Sequence, residues 1–262
     1  MTEPLVRYTK QDGIAVLELN NPPANCYTYE LMRELDEAIL DARMDESVYV
    51  LVLRGAGDKF FCAGADIKML ASVSPQYKYY FCLHANETLN RLEHTPKLVI
   101  AALNGHTVGG GLEIALACDI RIARRGAGKI GLPEITLGVL PGTGGTQRLT
   151  RLLGKGRAME LMVTGRTMEF EEALEIGLIH HIFESDGFMD RVLEYARQFL
   201  PPNKAAFAVG RIKRAVQVTE DTSFVGGLSV ERELQQQLFQ SHDGREGLTA
   251  WVERRTPKFT GT

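Results

Sequence analysis

Apolar residues along the chain fall into two rhythms. Ile14 to Leu19 reads as a strand; Asn20-Asn21-Pro22-Pro23 ends it, because proline supplies no ladder donor. Leu31, Leu35 and Ile39, with alanines nearby, recur at helical spacing and predict a helix from about Tyr29 to Arg43. Tyr49 to Leu53 is a short strand-like run closed by Gly55-Ala56-Gly57, and Phe81, Ala85, Leu89 and Leu92 mark a second helix. Lys97 to Leu103, after Pro96, and Asp119 to Ala123 read as further strands. From Gly145 onward the period is helical. Ala158, Leu161 and Met162 share one face, as do Phe188, Val192, Ala196 and Phe199. Beyond Pro201-Pro202, helices are predicted over Lys204 to Gln217, Phe224 to Ser241 and Arg245 to Arg255. The pattern is thus strands mixed with helices for about 140 residues, then an all-helical tail. Strand and helix alternating in this order argue for an α/β core. No fixed-period repeat stands out.

Composition narrows the partners. The 262 residues are 44% hydrophobic and 24% charged, the balance of an ordinary globular domain. A formal net charge of −3 gives no broad basic field, so nucleic acid is not an expected partner. Apolar runs such as Leu98 to Leu103 are too short to span a bilayer. The opening stretch Met1 to Lys10 is polar and mixed, without the apolar centre of a secretory signal. Cys26, Cys62, Cys82 and Cys118 form no CxxC pair and hence no zinc-site spacing. They read as free thiols, buried as small apolar side chains, in a reducing, cytoplasm-like compartment.

Three glycine-rich stretches invite a chemical reading. Gly126-Ala127-Gly128-Lys129-Ile130-Gly131 matches G-x-G-x-x-G, but Leu132-Pro133 follows where a dinucleotide site needs a helix, so the stretch reads as a turn. Gly109-Gly110-Gly111 leads into Leu112 to Leu116, a helix start whose unpaired N–H groups could stabilise an oxyanion; a plain tight turn explains it equally well. Phe61-Cys62-Ala63-Gly64-Ala65-Asp66-Ile67 could expose the N–H of Ala65. Glu113 and Glu134 both sit among apolar neighbours, which raise a carboxyl's pKa and allow one group to act as acid while the other acts as base. By spacing alone, a helix-start carboxylate and a loop ion pair are the plainer readings of the two.

Taken together, Ala63-Gly64-Ala65-Asp66-Ile67, Asn104-Gly105 with Gly109-Gly110-Gly111-Leu112-Glu113, Pro133-Glu134 with Leu137-Gly138, and Pro141-Gly142-Thr143-Gly144-Gly145-Thr146-Gln147-Arg148-Leu149 resemble the crotonase (enoyl-CoA hydratase/isomerase) superfamily over almost the whole chain. The resemblance implies an α/β, crotonase-like spiral of ββα units with a C-terminal helical region. It divides the chain into a core over 1–200 carrying an acyl-CoA site and a helical trimerisation region over 201–262, assembled as a homotrimer or homohexamer. It also implies an oxyanion hole made by the N–H groups of Ala65 and Gly110. The coenzyme A site would be lined by Ala24, Asn25 and Cys26 and by Ala63, Ala65, Asp66, Ile67 and Lys68. Trp251 and Arg254 match the aromatic and basic positions that reach the adenine and phosphates, often from a neighbouring subunit. No metal and no cofactor are implied, coenzyme A being part of the substrate.

With glutamate at both acid/base positions, the resemblance favours a hydratase over an isomerase or another enolate-forming lyase or hydrolase. Glu113 and Glu134 would hold a water that attacks C3, with Glu134 favoured as donor to C2. Two departures bear on the acyl group. Asn25-Cys26-Tyr27-Thr28 replaces an Asn-Ala-Leu-like stretch, and Tyr77, Tyr79 and Tyr80 cluster where the acyl pocket often lies, either lining it for a cyclic or polar group or simply packing a helix. A non-catalytic RNA-binding or scaffold role on the same fold would require a basic surface patch.

Overall fold

The computed structural model describes residues 3–262, so the first two residues of the polar opening stretch lie outside it. Strands β1 (Val6–Gln11) and β2 (Ile14–Leu19) form a hairpin, with Gln11 opposite Ile14. Asp12 and Gly13 turn it with φ of 51° and 82°, the two positive values that the tight turn of a two-residue hairpin requires. Helix α1 (Tyr29–Met44) follows, its first turn capped by the Thr28 hydroxyl. Then come β3 (Val50–Gly55), β4 (Phe60–Cys62), α2 (Ile67–Ser72) and α3 (Pro75–Glu93). The carboxylate of Asp66 caps α2, and Ser74 with Pro75 starts α3. The chain continues through β5 (Leu98–Leu103), β6 (His106–Val108), α4 (Gly110–Leu116), β7 (Ile120–Arg124), β8 (Lys129–Gly131) and a 3₁₀ turn at Glu134–Leu137.

Strand pairs alternate between two sheets. The larger has the order β1-β2-β3-β5-β7 and the smaller begins β4-β6-β8, so each unit sends one strand to each sheet before its helical segment. This is the ββα spiral. Its units open at Val50, Leu98 and Ile120, and helical inserts of unequal length hide the repetition from the sequence. The central strands of the large sheet are parallel and covered on both faces, which explains their unbroken apolar runs. Leu51 and Leu53 face the main core with Leu31, Leu35 and Ile39 of α1, while Val50 and Val52 face a second core. Fully buried Asn104 ties the units together: it accepts from the Gly55 N–H at 3.0 Å and donates to the Gly55 and Gly57 carbonyls at 2.9 and 2.7 Å.

The remainder comprises α5 (Gly145–Leu153), α6 (Lys155–Thr164), β9 (Thr167–Glu169), α7 (Phe170–Glu175), β10 (His181–Phe183), α8 (Phe188–Arg197), α9 (Ala206–Val218), α10 (Phe224–Gln240) and α11 (His242–Glu253). The expectation of an all-helical tail is therefore corrected. Strand β9 closes the small sheet against β8, and β10 closes the large one against β7. Each has three residues, too few for a period-two pattern to register. For the same reason the glycine stretch from Gly126 is a turn only at its start; Lys129–Gly131 is a strand. Cys62 and Cys118 are buried, and burial pushes both thiols up to about 12; Cys26 and Cys82 are half-buried. No helix of the described residues is long and apolar enough to cross a membrane, and no cluster among them would hold a metal ion.

Candidate active site

Three parallel strands of the small sheet end at one cavity. After β4 the chain runs into Ala63-Gly64-Ala65, after β6 into Gly109-Gly110, and after β8 into Leu132-Pro133-Glu134; Ala63 to Ala65, Gly109, Gly110, Pro133 and Glu134 all line its wall. Carboxyl ends of parallel strands are where open α/β sheets place ligands. The cavity, about 470 Å³ and mostly apolar, also takes in Glu113, Tyr27 and Thr143.

Two backbone amides face it. Tyr27 bridges Ala65 in parallel fashion: its N–H donates to the Gly64 carbonyl at 2.9 Å and its carbonyl accepts from Asp66 at 3.0 Å. That pattern uses the groups on either side of Ala65 and turns the Ala65 N–H away from Tyr27. Gly110 is the first residue of α4, where the helix leaves N–H groups unpaired. Neither amide donates to any described residue. The segments meet closely: a Cβ on Gly64, whose φ is +92°, would sit 2.9 Å from the Gly110 nitrogen, and one on Gly110 would collide with the Tyr27 hydroxyl. Glycine is required at both places.

Two carboxyls complete the wall. Glu113 lies three residues after Gly110 on the same helix and is only 2% exposed. Its Oε1 accepts from the N–H groups of Thr143 and Gly145, each at 2.7 Å, at the amino end of α5. Burial raises its pKa, and those donors act in the opposite direction by favouring the carboxylate. Glu134 is half-buried; its Oε1 would be 3.1 Å from a Cβ on Gly109, and its buried Oε2 has no partner among the described residues. Burial, with a smaller push from Glu113, takes this carboxyl up to about 7. Both carboxyls are thus pushed up by burial; two backbone donors oppose the push at Glu113, while Glu134, which lacks that pair, holds its proton near neutrality. Among the described residues Glu134 forms no loop ion pair, in contrast to its plainer reading.

Of the positions expected to bind coenzyme A, Ala63, Ala65 and Ile67 lie on the cavity wall. Lys68 is exposed beside Ile67, and Asp66 caps α2. The Ala24 carbonyl accepts from Ala63 at 3.0 Å, and that of Cys26 accepts from the Asn21 amide at 2.6 Å. Asn25 requires correction. It is fully buried, with its side-chain amide donating to Ala56 and Phe60 and accepting from Asn21, so the side chain fastens the loop and has nothing to offer a ligand. Trp251, 85% exposed on α11, and Arg254 at that helix's end lie away from this wall.

Sequence reasoning missed Tyr27 and Thr143. Tyr27 is 2% exposed, stacks on Phe81, and its hydroxyl meets that of Thr143 at 3.0 Å. Thr143 in turn holds Glu113. The available signal was the glycine cluster opening an amphipathic helix beside Thr143; nothing local marked Tyr27. The tyrosine cluster belongs to a helix and not to the acyl pocket: Tyr77, Tyr79 and Tyr80 on α3 are 41%, 66% and 57% exposed, and none lines the cavity. Helix α3 presents Lys78, Phe81 and Cys82 there instead, positions related by helical steps of three and four.

Comparisons with known proteins place the chain in a family and a fold. Residues 9–262 match the enoyl-CoA hydratase/isomerase family. The chain is 37% identical to the short-chain-enoyl-CoA hydratase of Clostridium acetobutylicum over 94% of each. It is 36% identical to the human mitochondrial methylglutaconyl-CoA hydratase, over 98% of this chain and 77% of that one. The solved enoyl-CoA hydratase of Geobacillus kaustophilus superposes with a TM-score of 0.96 at 45% identity, covering 100% of this chain and 98% of that one.

Proposed function

Because the chain belongs to the enoyl-CoA hydratase/isomerase family, as a hydro-lyase of the hydratase kind, we propose that its cavity adds water across the 2,3 double bond of a 2-enoyl-CoA thioester to give the 3-hydroxyacyl-CoA. One observation carries the reading: two free amides and two carboxyls, one gripped by two backbone donors and the other with an unpartnered buried oxygen, share one apolar cavity. The thioester carbonyl accepts from Ala65 and Gly110. Charge developing on its oxygen as water adds at C3 is then met by fixed dipoles, and loss of one such donor costs about 10²–10³ in rate. Glu113, oriented by Thr143 and Gly145, takes a proton from the water. Glu134 delivers its own to C2 and collapses the enolate. The cycle closes when the proton on Glu113 returns to Glu134 or exchanges with solvent.

The segments Ala24 to Cys26 and Ala63 to Lys68 are assigned to coenzyme A through their backbone. The exposed Trp251 and Arg254 are assigned to the adenine and phosphates of a molecule bound to a neighbouring subunit, in a trimer or a hexamer. The test is turnover of a short 2-enoyl-CoA with the product mass recorded. A gain of one water supports hydration; an unchanged mass with a shifted double bond would replace it with isomerisation.

A further inference from the structure

One side chain of the cavity wall is unused by this chemistry. From Pro75 to Tyr80, the opening of α3, every residue is exposed except Lys78, which is half-buried. Three tyrosines stay outside while a lysine takes the inward position one turn before Phe81 and Cys82, the reverse of what apolar burial alone would select. Other shielded lysines are held: Lys213 by Asp119 at 2.8 Å, and Lys97 by the carbonyls of Ala42 and Asp45 at 2.7 and 2.6 Å. Lys78 has neither an ion pair nor a side-chain hydrogen bond among the described residues. The same cavity is lined by the apolar Leu70, Phe81, Leu137, Val139 and Leu140. The wall's own carboxyls, Glu113 and Glu134, do not pair with it.

We infer that Lys78 anchors a second carboxylate on the acyl group, one carried at the end remote from the thioester. This rests on the enoyl-CoA reading of the cavity and narrows it from neutral to dicarboxylic acyl groups. An ammonium against an apolar wall attracts an anion more strongly than one in open water, because fewer solvent dipoles screen the pair. A methyl-ended chain brings apolar surface there and leaves the charge unpaired. A lysine laid along the wall for its methylenes alone would make no such distinction.

The experiment compares two short 2-enoyl-CoA thioesters, one ending in a carboxylate and one in a methyl group. A partly shielded charge pair predicts about a tenfold higher kcat/KM for the carboxylate. Lys78→Met should bring the ratio near one, and Lys78→Arg should keep it. Calorimetric binding of glutaryl-CoA against pentanoyl-CoA should repeat the pattern without any turnover. Equal treatment of the two thioesters by the unmodified protein overturns the inference. So does a loss in Lys78→Met shared by both, the result expected if the lysine met the coenzyme A phosphates. Should neither enoyl thioester gain water while the binding preference stands, hydration falls and the anchor survives; the opposite outcome removes the anchor alone.

Discussion

Glu134→Gln should make the protein more stable and nearly inactive at once. In the folded protein this carboxyl is pushed from 4.5 up to about 7, chiefly by burial. The folded state therefore binds its proton more tightly than the unfolded chain does. Below about pH 4.5 both states are protonated and the stabilisation is fully present. As pH rises the unfolded chain ionises first, and stability falls until the folded group ionises near pH 7. A shift of this size corresponds to about 3 kcal/mol for a fully shielded group, and the partial exposure of Glu134 reduces it to about 1–2 kcal/mol. Glutamine has no charge to desolvate, so the variant should match the parent at pH 4.5 and exceed it by that amount at pH 8. Urea unfolding at the two pH values, at one protein concentration, measures the difference. Turnover of a short 2-enoyl-CoA should meanwhile drop by about 10²–10⁴. A variant no more stable at pH 8 than at pH 4.5, relative to the parent, would refute the buried-acid reasoning, and one with parental turnover would refute the proton-donor role.

Hydration kcat/KM should fall as pH rises through about 7, where Glu134 loses the proton it delivers, in a stopped-flow pH profile. Glu113→Gln should lower turnover by about 10²–10⁴ while thioester binding by calorimetry persists, because its side-chain oxygen still accepts from Thr143 and Gly145. Tyr27→Phe removes one hydroxyl contact with Thr143, so kcat should fall about tenfold with little change in KM and a displaced pH profile; an unchanged profile would separate the tyrosine from Glu113. Asn104→Ala deletes two buried hydrogen bonds and a partly buried third and should lower unfolding free energy by about 2–4 kcal/mol in urea titration.

How much of this was legible depends on how local each signal is. Long apolar runs and the helical stripes of α1 and α3 declare themselves because each spans several periods. The three-residue strands β4, β6, β8, β9 and β10 do not, although the first three position the site. Strand β1 went unread even though Asp12-Gly13, a hairpin pair, stood beside Ile14. Gly110 and Glu113 share a helix, so their proximity was readable from spacing. The grip of Thr143 and Gly145 on Glu113 spans some thirty residues and exists only after folding. The inward turn of Lys78 is readable in the sequence: the stripe of Phe81 and Ala85, carried back by three and seven, lands on it and not on the neighbouring tyrosines.

The convergence of β4, β6 and β8 on one cavity has an evolutionary corollary. On the proposed assignment each strand end delivers a separate component: Ala65 from the first, Gly110 and Glu113 from the second, Glu134 from the third. On that assignment the segment beyond β8 carries the proton donor together with part of the acyl wall. Replacing Pro133 to Leu140 would exchange the proton donor and part of the acyl wall while the grip on the thioester oxygen stayed intact. A scaffold wired this way lets lineages explore new reactions by editing a single stretch of chain.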